Sequence, residues 1–203
     1  MAYASWLQPS KISGNGNDTV NVSALSNNTG RNLRTTTITF KAANCEDVVR
    51  TVNQAGKTEF VNIQSTASVS KSGGTLTITG TSNSSKLTFS LGSGGTLVLT
   101  LPASYTAAGS STDNGAAITG DPGASAEYAF SITFANIPEN TTVDALTKQL
   151  VVTDNAGNSS TCTVTQAAAD ATLSVSPNSV DLPWDASTSA SFTVTSNTNW
   201  TVE

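Results

Sequence analysis

Residues 195–203 read T-S-N-T-N-W-T-V-E and stop partway through a pattern. Residues 191–196, S-F-T-V-T-S, alternate apolar and polar side chains, as a half-buried strand does. Asn197-Thr198-Asn199 reads as a turn, and Trp200-Thr201-Val202 opens a further strand. The other end has the converse pattern: Tyr3-Ala4-Ser5-Trp6-Leu7-Gln8-Pro9 reads as the interior of a domain. Taken from Glu203 on into Ala2, the two ends join into one unit. The expectation is therefore an all-β chain with one domain split between its ends. Residues 1–57 form the C-terminal half of a sandwich, 58–169 a complete sandwich and 170–203 an N-terminal half.

An internal repeat supports this division. Shifted by 112 residues, Val20 falls on Ile132, Val22 on Phe134 and Leu25 on Ile137. Asn28-Thr29 falls on Asn140-Thr141, Ile38 on Leu150 and Phe40 on Val152. Thr51-Val52 meets Thr163-Val164, Gln54-Ala55 meets Gln166-Ala167, and Val61 and Ile63 meet Leu173 and Val175. No gap is needed from 18 to 63, and the matching apolar positions are what a repeated sandwich requires. A second register, shifted by 114, lays 76–83 over 190–197. Strands are expected at 19–25, with Val20 and Val22 inward, and at 35–40 and 48–52. The middle domain carries an extra stretch near 91–126, containing a strand at 96–101 and a Gly/Ser/Asp-rich loop at 107–125. Loops of that length in a compact domain usually carry a contact of their own.

Composition narrows the function classes. Charged residues are 11% of the 203, well under the roughly 25% of an average globular chain. The net charge of −5 argues against a nucleic-acid surface or an anionic membrane. Two cysteines, Cys45 and Cys162, fall in different units and are expected as free thiols. No apolar run approaches the ~18 residues of a membrane helix. The start M-A-Y-A-S-W-L-Q-P lacks a basic and an apolar signal region, which predicts synthesis in the cytoplasm.

The motifs L-S-V-S-P-N-S-V-D-L, F-T-V-T-S-N-T-N-W-T-V, A-S-W-L-Q-P, S-G-N-G-N-D-T-V-N-V-S-A and T-V-N-Q-A-G resemble the BACON domain. That family is an immunoglobulin-like β-sandwich of Bacteroidetes surface proteins and glycosidases, which also occurs in crAss-like phages. The resemblance covers 1–57 and 170–203, and 58–169 by pattern. In the middle domain Lys86-Leu87 replaces the family's N-W pair, and V-T-Q-A-A closes it, which marks a divergent copy. The family name implies carbohydrate binding and brings no binding residues with it.

The chain has no histidine, which excludes His-based triads, general bases and metal sites. Its fourteen acids are scattered, and no motif points to the facing carboxylate pair of a glycosidase. The expectation is no enzyme, no catalytic residues, no metal and no cofactor. Trp184, Tyr105 and Tyr128 are the candidate glycan contacts. Trp6 and Trp200 stand in the family's fold-defining pairs and are expected in the core. Val180, Leu182 and Trp184 are expected on one strand face, with Pro183 and Asp185 marking an edge. Residues 154–158, D-N-A-G-N, read as a hairpin turn rather than a calcium loop. The N-x-S/T triplets at Asn21, Asn27, Asn83, Asn140, Asn158 and Asn199 are expected by chance in so Ser/Thr-rich a chain.

The split domain closes either within the chain or between chains. An array sandwich is entered at one pole and left at the other, and residues 167–170 span at most ~14 Å. Only a folded-back chain could close on itself, so pairing between copies, head to tail by strand complementation, is expected. The functional expectation is a structural protein of a bacteriophage virion, as capsid decoration or head fibre, assembling with itself or with other virion proteins. Adhesion to bacterial or mucin glycans is compatible with that role. The alternatives are a carbohydrate- or mucin-binding module within a longer bacterial surface protein, and a filament subunit.

Overall fold

The structure, a computed structural model, describes residues 3–185 and 187–203. Met1, Ala186 and Ala2, at the expected Glu203–Ala2 junction, lie outside the described residues. The first segment contains β1 (Leu7–Pro9), β2 (Val22–Ala24), β3 (Arg34–Phe40) and β4 (Val48–Gln54). The middle domain contains β5 (Val61–Ile63), β6 (Thr66–Val69), β7 (Gly74–Ser82), β8 (Leu87–Leu91), β9 (Ser104–Ala107), β10 (Ser110–Asp113), β11 (Tyr128–Ile137), β12 (Leu146–Asp154) and β13 (Ser159–Gln166). The last segment contains β14 (Leu173–Ser176) and β15 (Thr193–Ser196). The one helical element described is a 3-10 turn, Pro122–Ala124.

The middle domain is a sandwich of two sheets, ordered β10-β9-β11-β7-β5 and β6-β13-β12-β8. Alternation in β7, β11, β12 and β13 sends Leu76, Ile78, Phe130, Ile132, Phe134, Leu150, Val152 and Val164 into one core. Phe89 is central: its ring lies 4.9 Å from Tyr105 and 5.8 Å from Phe130. Gly80 leaves room for Phe130, because a Cβ there would stand 2.3 Å from that ring. The β12–β13 hairpin is closed by Asp154, whose carboxylate accepts from the Asn158 backbone N–H at 2.8 Å, with Gly157 at φ 91°.

The outer segments contain only pairs of strands: β1-β2, β3-β4 and β14-β15. The repeat is exact in their register. Arg34 pairs with Gln54 and Phe40 with Val48; 112 residues on, Leu146 pairs with Gln166 and Val152 with Ser160. Leu173 pairs with Ser196 and Val175 with Val194, matching Val61 with Ser82 and Ile63 with Gly80.

Several expectations are corrected. Residues 96–101 join no ladder, although Leu97 and Leu99 still point into the core. The stretch around Val180, Leu182 and Trp184 is not a strand, and Leu182 is exposed. Residues 200–202 are likewise outside any strand. Val22 is exposed and Val20 half-buried, because no second layer covers their face. Both cysteines are free, Cys45 exposed and Cys162 buried.

The difference between the closed domain and the open segments is measurable. Phe89→Ala should lower the unfolding free energy of the middle sandwich by about 3–5 kcal/mol. Phe40→Ala, on an open face, should cost about 1 kcal/mol or less in dilute solution. Denaturant titration of the two variants checks both.

Candidate functional site

Three places in the fold bear on function: the joint between the first segment and the middle domain, its counterpart before the last segment, and the open apolar faces. The first joint centres on Asn83, which is buried just after β7. Its amide Nδ2 donates to the carbonyls of Thr29 (3.3 Å), Lys57 (3.2 Å) and Thr58 (3.3 Å). Its Oδ1 accepts from the Phe60 N–H at 2.9 Å. One side chain thus satisfies backbone groups from the first segment, the linker and β5's approach. The Ser82 hydroxyl donates to the Phe60 carbonyl at 2.7 Å and accepts from the Ser84 N–H at 2.9 Å.

The 107–125 stretch is not a free loop. Its first part is the β9–β10 hairpin, and its last part receives the first segment. The N–H groups of Arg31 and Asn32 donate to the carbonyls of Gly123 and Ala124, each at 2.9 Å. The Arg31 guanidinium pairs with Asp121 and donates to the Asn83 carbonyl. Lys57 pairs with Glu127 at 3.1 Å. Gly30 lies so close that a Cβ would stand 2.3 Å from the Ser125 carbonyl carbon.

The joint recurs. At the other pole Asn197 Nδ2 donates to the carbonyls of Thr141 (3.3 Å) and Asp170 (2.8 Å), and its Oδ1 accepts from the Thr172 N–H at 2.8 Å. Ser196 takes the part of Ser82, donating to the Thr172 carbonyl at 2.8 Å. Each of these residues is the repeat partner of one at the first joint. A second pair of asparagines holds the entry to each joint. Asn28 donates to Asn32 O and Ala55 O at 2.8 and 3.2 Å; Asn140 donates to Asp144 O and Ala167 O at 2.8 and 2.9 Å. Gln54 and Gln166, which close the two repeats, donate to the carbonyls of Ser26 (3.1 Å) and Pro138 (2.7 Å). Among the described residues, Lys71–Asp170 is an ion pair at the second joint, and the lysine holds that carboxyl below its usual range.

The aromatic candidates separate. Trp184 is 97% exposed. Tyr105 and Tyr128 are buried and cannot present a ring to a glycan. Burial raises both phenols, and Tyr128 donates to the Ser84 carbonyl at 2.8 Å. Trp6 is half-buried beneath Arg34, whose guanidinium carbon lies 4.6 Å from the ring centroid. Trp200 was expected in the core and is exposed, lining a hollow with Leu173, Val175 and Phe192. The structure does not bring the three glycan candidates together. Asn83 and Asn140 were missed as chance triplets. Their signal was present in the two shifts, which lay Asn28 on Asn140 and Asn83 on Asn197. Among the described residues no group of three or more Cys, Asp or Glu could hold a metal ion.

No curated protein matches the chain. A family model does match: BACON, described as "Putative binding domain, N-terminal", over residues 1–55. That stretch contains β1 to β4, the Arg34–Trp6 stack and the asparagine that opens the joint. Residues 1–55 of this chain are thus similar to the BACON family, a match that covers about a quarter of the 203 residues.

Proposed function

We propose that the chain is a non-catalytic structural module in which successive β-sandwiches are set at a fixed spacing, and that its setting is a bacteriophage particle, as capsid decoration or head fibre. The observation that carries the structural part is the repeated joint. Asn83 and Asn197 make three equivalent hydrogen bonds, to repeat-related backbone groups, at the two ends of the middle domain. A linker whose backbone is bonded at most of its residues acts as a rigid spacer rather than a tether. The phage setting is supported by the resemblance to modules that also occur in crAss-like phages. The scattered acids, of which Asp18, Asp47, Asp121, Glu127 and Asp170 are in ion pairs, support a chain without a catalytic centre.

The joint can be tested directly. Asn83→Ala leaves four backbone groups without their partner, a loss of about 1–3 kcal/mol at the joint. Small-angle scattering of the variant should show a wider spread of maximum dimensions than the parent, with the middle sandwich still folded. An unchanged scattering profile would overturn the rigid-spacer reading. Genes for capsid and portal proteins beside this one are the expected neighbours; polysaccharide-utilisation genes in their place would count against the particle.

A second reading, glycan binding, is favoured by one observation, the fully presented indole of Trp184. On a glycan array, Trp184→Ala should abolish any signal the parent gives. Retained binding would remove Trp184 as the contact.

A further inference from the structure

The middle domain contains an apolar stretch that its own sheets leave unpaired. Residues 95–101 read G-T-L-V-L-T-L. Leu97 and Leu99 are buried and Leu101 half-buried, while Thr96, Val98 and Thr100 face outward. That alternation is the pattern of a strand with one face on the core. Among the described residues of the middle domain, Val98, 72% exposed, is the one large hydrophobic side chain left in the open. The Leu97 N–H donates to the Thr147 carbonyl at 3.0 Å, at the start of β12. From Val98 to Leu101 no backbone N–H or C=O has a partner among the described residues.

The edge of β8, just upstream, is treated differently. There Asn114 Oδ1 accepts from the Phe89 N–H at 2.7 Å and its Nδ2 donates to the Phe89 carbonyl at 3.0 Å, while the Gly115 N–H donates to the Leu87 carbonyl at 3.0 Å. Residues 96–101 have no such cover. They also lack the charge that commonly blunts an exposed edge: no Asp, Glu, Lys or Arg occurs from Leu87 to Thr112. The neighbouring Lys148 ammonium is turned to the Gly94 carbonyl at 2.9 Å, ahead of the stretch.

The sequence of the stretch says what fits it. Thr96-Leu97-Val98-Leu99-Thr100 reads the same in both directions. Set antiparallel against itself about Val98, it places Thr96 opposite Thr100, Leu97 opposite Leu99 and Val98 opposite Val98, so that like meets like at every position. Threonines opposed in this way already bond within the domain, where the Thr77 and Thr133 hydroxyls lie 3.0 Å apart. Backbone polar groups alternate sides along a strand. With the Leu97 N–H directed at β12, those of Val98 point away from it, free to exchange hydrogen bonds with a second Val98.

We propose that residues 96–100 form a contact between two copies of this chain, each adding its stretch to the other's as an antiparallel strand about a two-fold axis at Val98. Both copies use the same surface, so the contact closes at a dimer. A strand this short buries well under the ~1,000 Å² of a stable interface, so the pairing is weak and serves copies held side by side or at high concentration. It uses none of the joint residues and stands whether or not the spacer reading does.

The experiment uses the full chain with Cys45→Ser and buried Cys162 kept. Opposed residues that exchange hydrogen bonds have Cα atoms about 5.5 Å apart, within disulfide reach. Val98→Cys should therefore give a covalent dimer on mild oxidation at millimolar concentration. Thr100→Cys alone sets the two thiols four residues out of register, about 15 Å apart, and should give roughly tenfold less; mixed with Thr96→Cys it should recover the yield. Without oxidation, the parent should sediment as monomer and dimer in a concentration-dependent ratio. Val98→Lys should lower the dimer fraction roughly tenfold by placing two like charges face to face, whereas Val98→Thr should keep it. Slow reaction of Cys162 with a thiol reagent reports that the middle sandwich stays folded in every variant. A parent without dimer at millimolar concentration, Thr100→Cys alone cross-linking as well as Val98→Cys, or Val98→Lys associating like the parent would each overturn the proposal.

Discussion

The Asn83 carboxamide gathers the Phe60 N–H and the carbonyls of Thr29, Lys57 and Thr58 into one buried cluster. The arrangement of the first segment on the middle domain depends on it. A linker crossing between two sandwiches has backbone groups that neither sheet can take up, and leaving them dry and unpaired is costly. Asparagine is suited to the task because its amide offers both donors and an acceptor from one short side chain. With the linker fixed, Gly30 can approach Ser125 as closely as it does, and Arg31 comes within reach of Asp121 and the Asn83 carbonyl. Because the cluster is built from repeat positions, the second joint forms on the same logic around Asn197.

The open faces follow from a different constraint. A sandwich is stable when both sheets present an apolar face to each other, and a two-stranded ribbon alone has little to bury. The middle domain meets this condition with nine strands. The outer segments keep the same registers and the same kinds of side chain but have no facing layer. Their hydrophobic residues and strand edges are consequently accessible, a condition that favours pairing with another β segment. Trp200 illustrates the point: it stands at the repeat position of Lys86, and nothing in its own segment covers it.

The aromatic residues show how position in the fold decides chemical role. Tyr105 and Tyr128 sit on strands of the five-stranded sheet and are consumed by its core, one against Phe89 and the other through a hydrogen bond to Ser84. Trp184 lies between Pro183 and Asp185 outside any ladder and presents its whole ring. Trp6 takes a middle course, one face occupied by Arg34.

Much of the architecture is written along the chain. Two-residue alternation and the 112 and 114 shifts give the all-β class and the repeat, because periodicity is a local property of the chain, while the pairings of β3 with β4 and of β14 with β15 come from the structure. The absence of histidine and the hairpin at Asp154 are equally local. What the sequence does not determine is which surface covers which. Alternation assigns Val22 and Trp200 to an apolar face, but whether that face is buried depends on strands distant in sequence. The same holds for the 107–125 stretch, whose composition reads as a free loop until the fold brings Arg31 to Asp121. Asn83 and Asn140 read as ordinary polar residues because the carbonyls they satisfy, that of Asp144 apart, come from segments some 25 to 54 positions away. Burial and hydrogen-bond partnership are properties of the folded surface, so only the tertiary structure decides them.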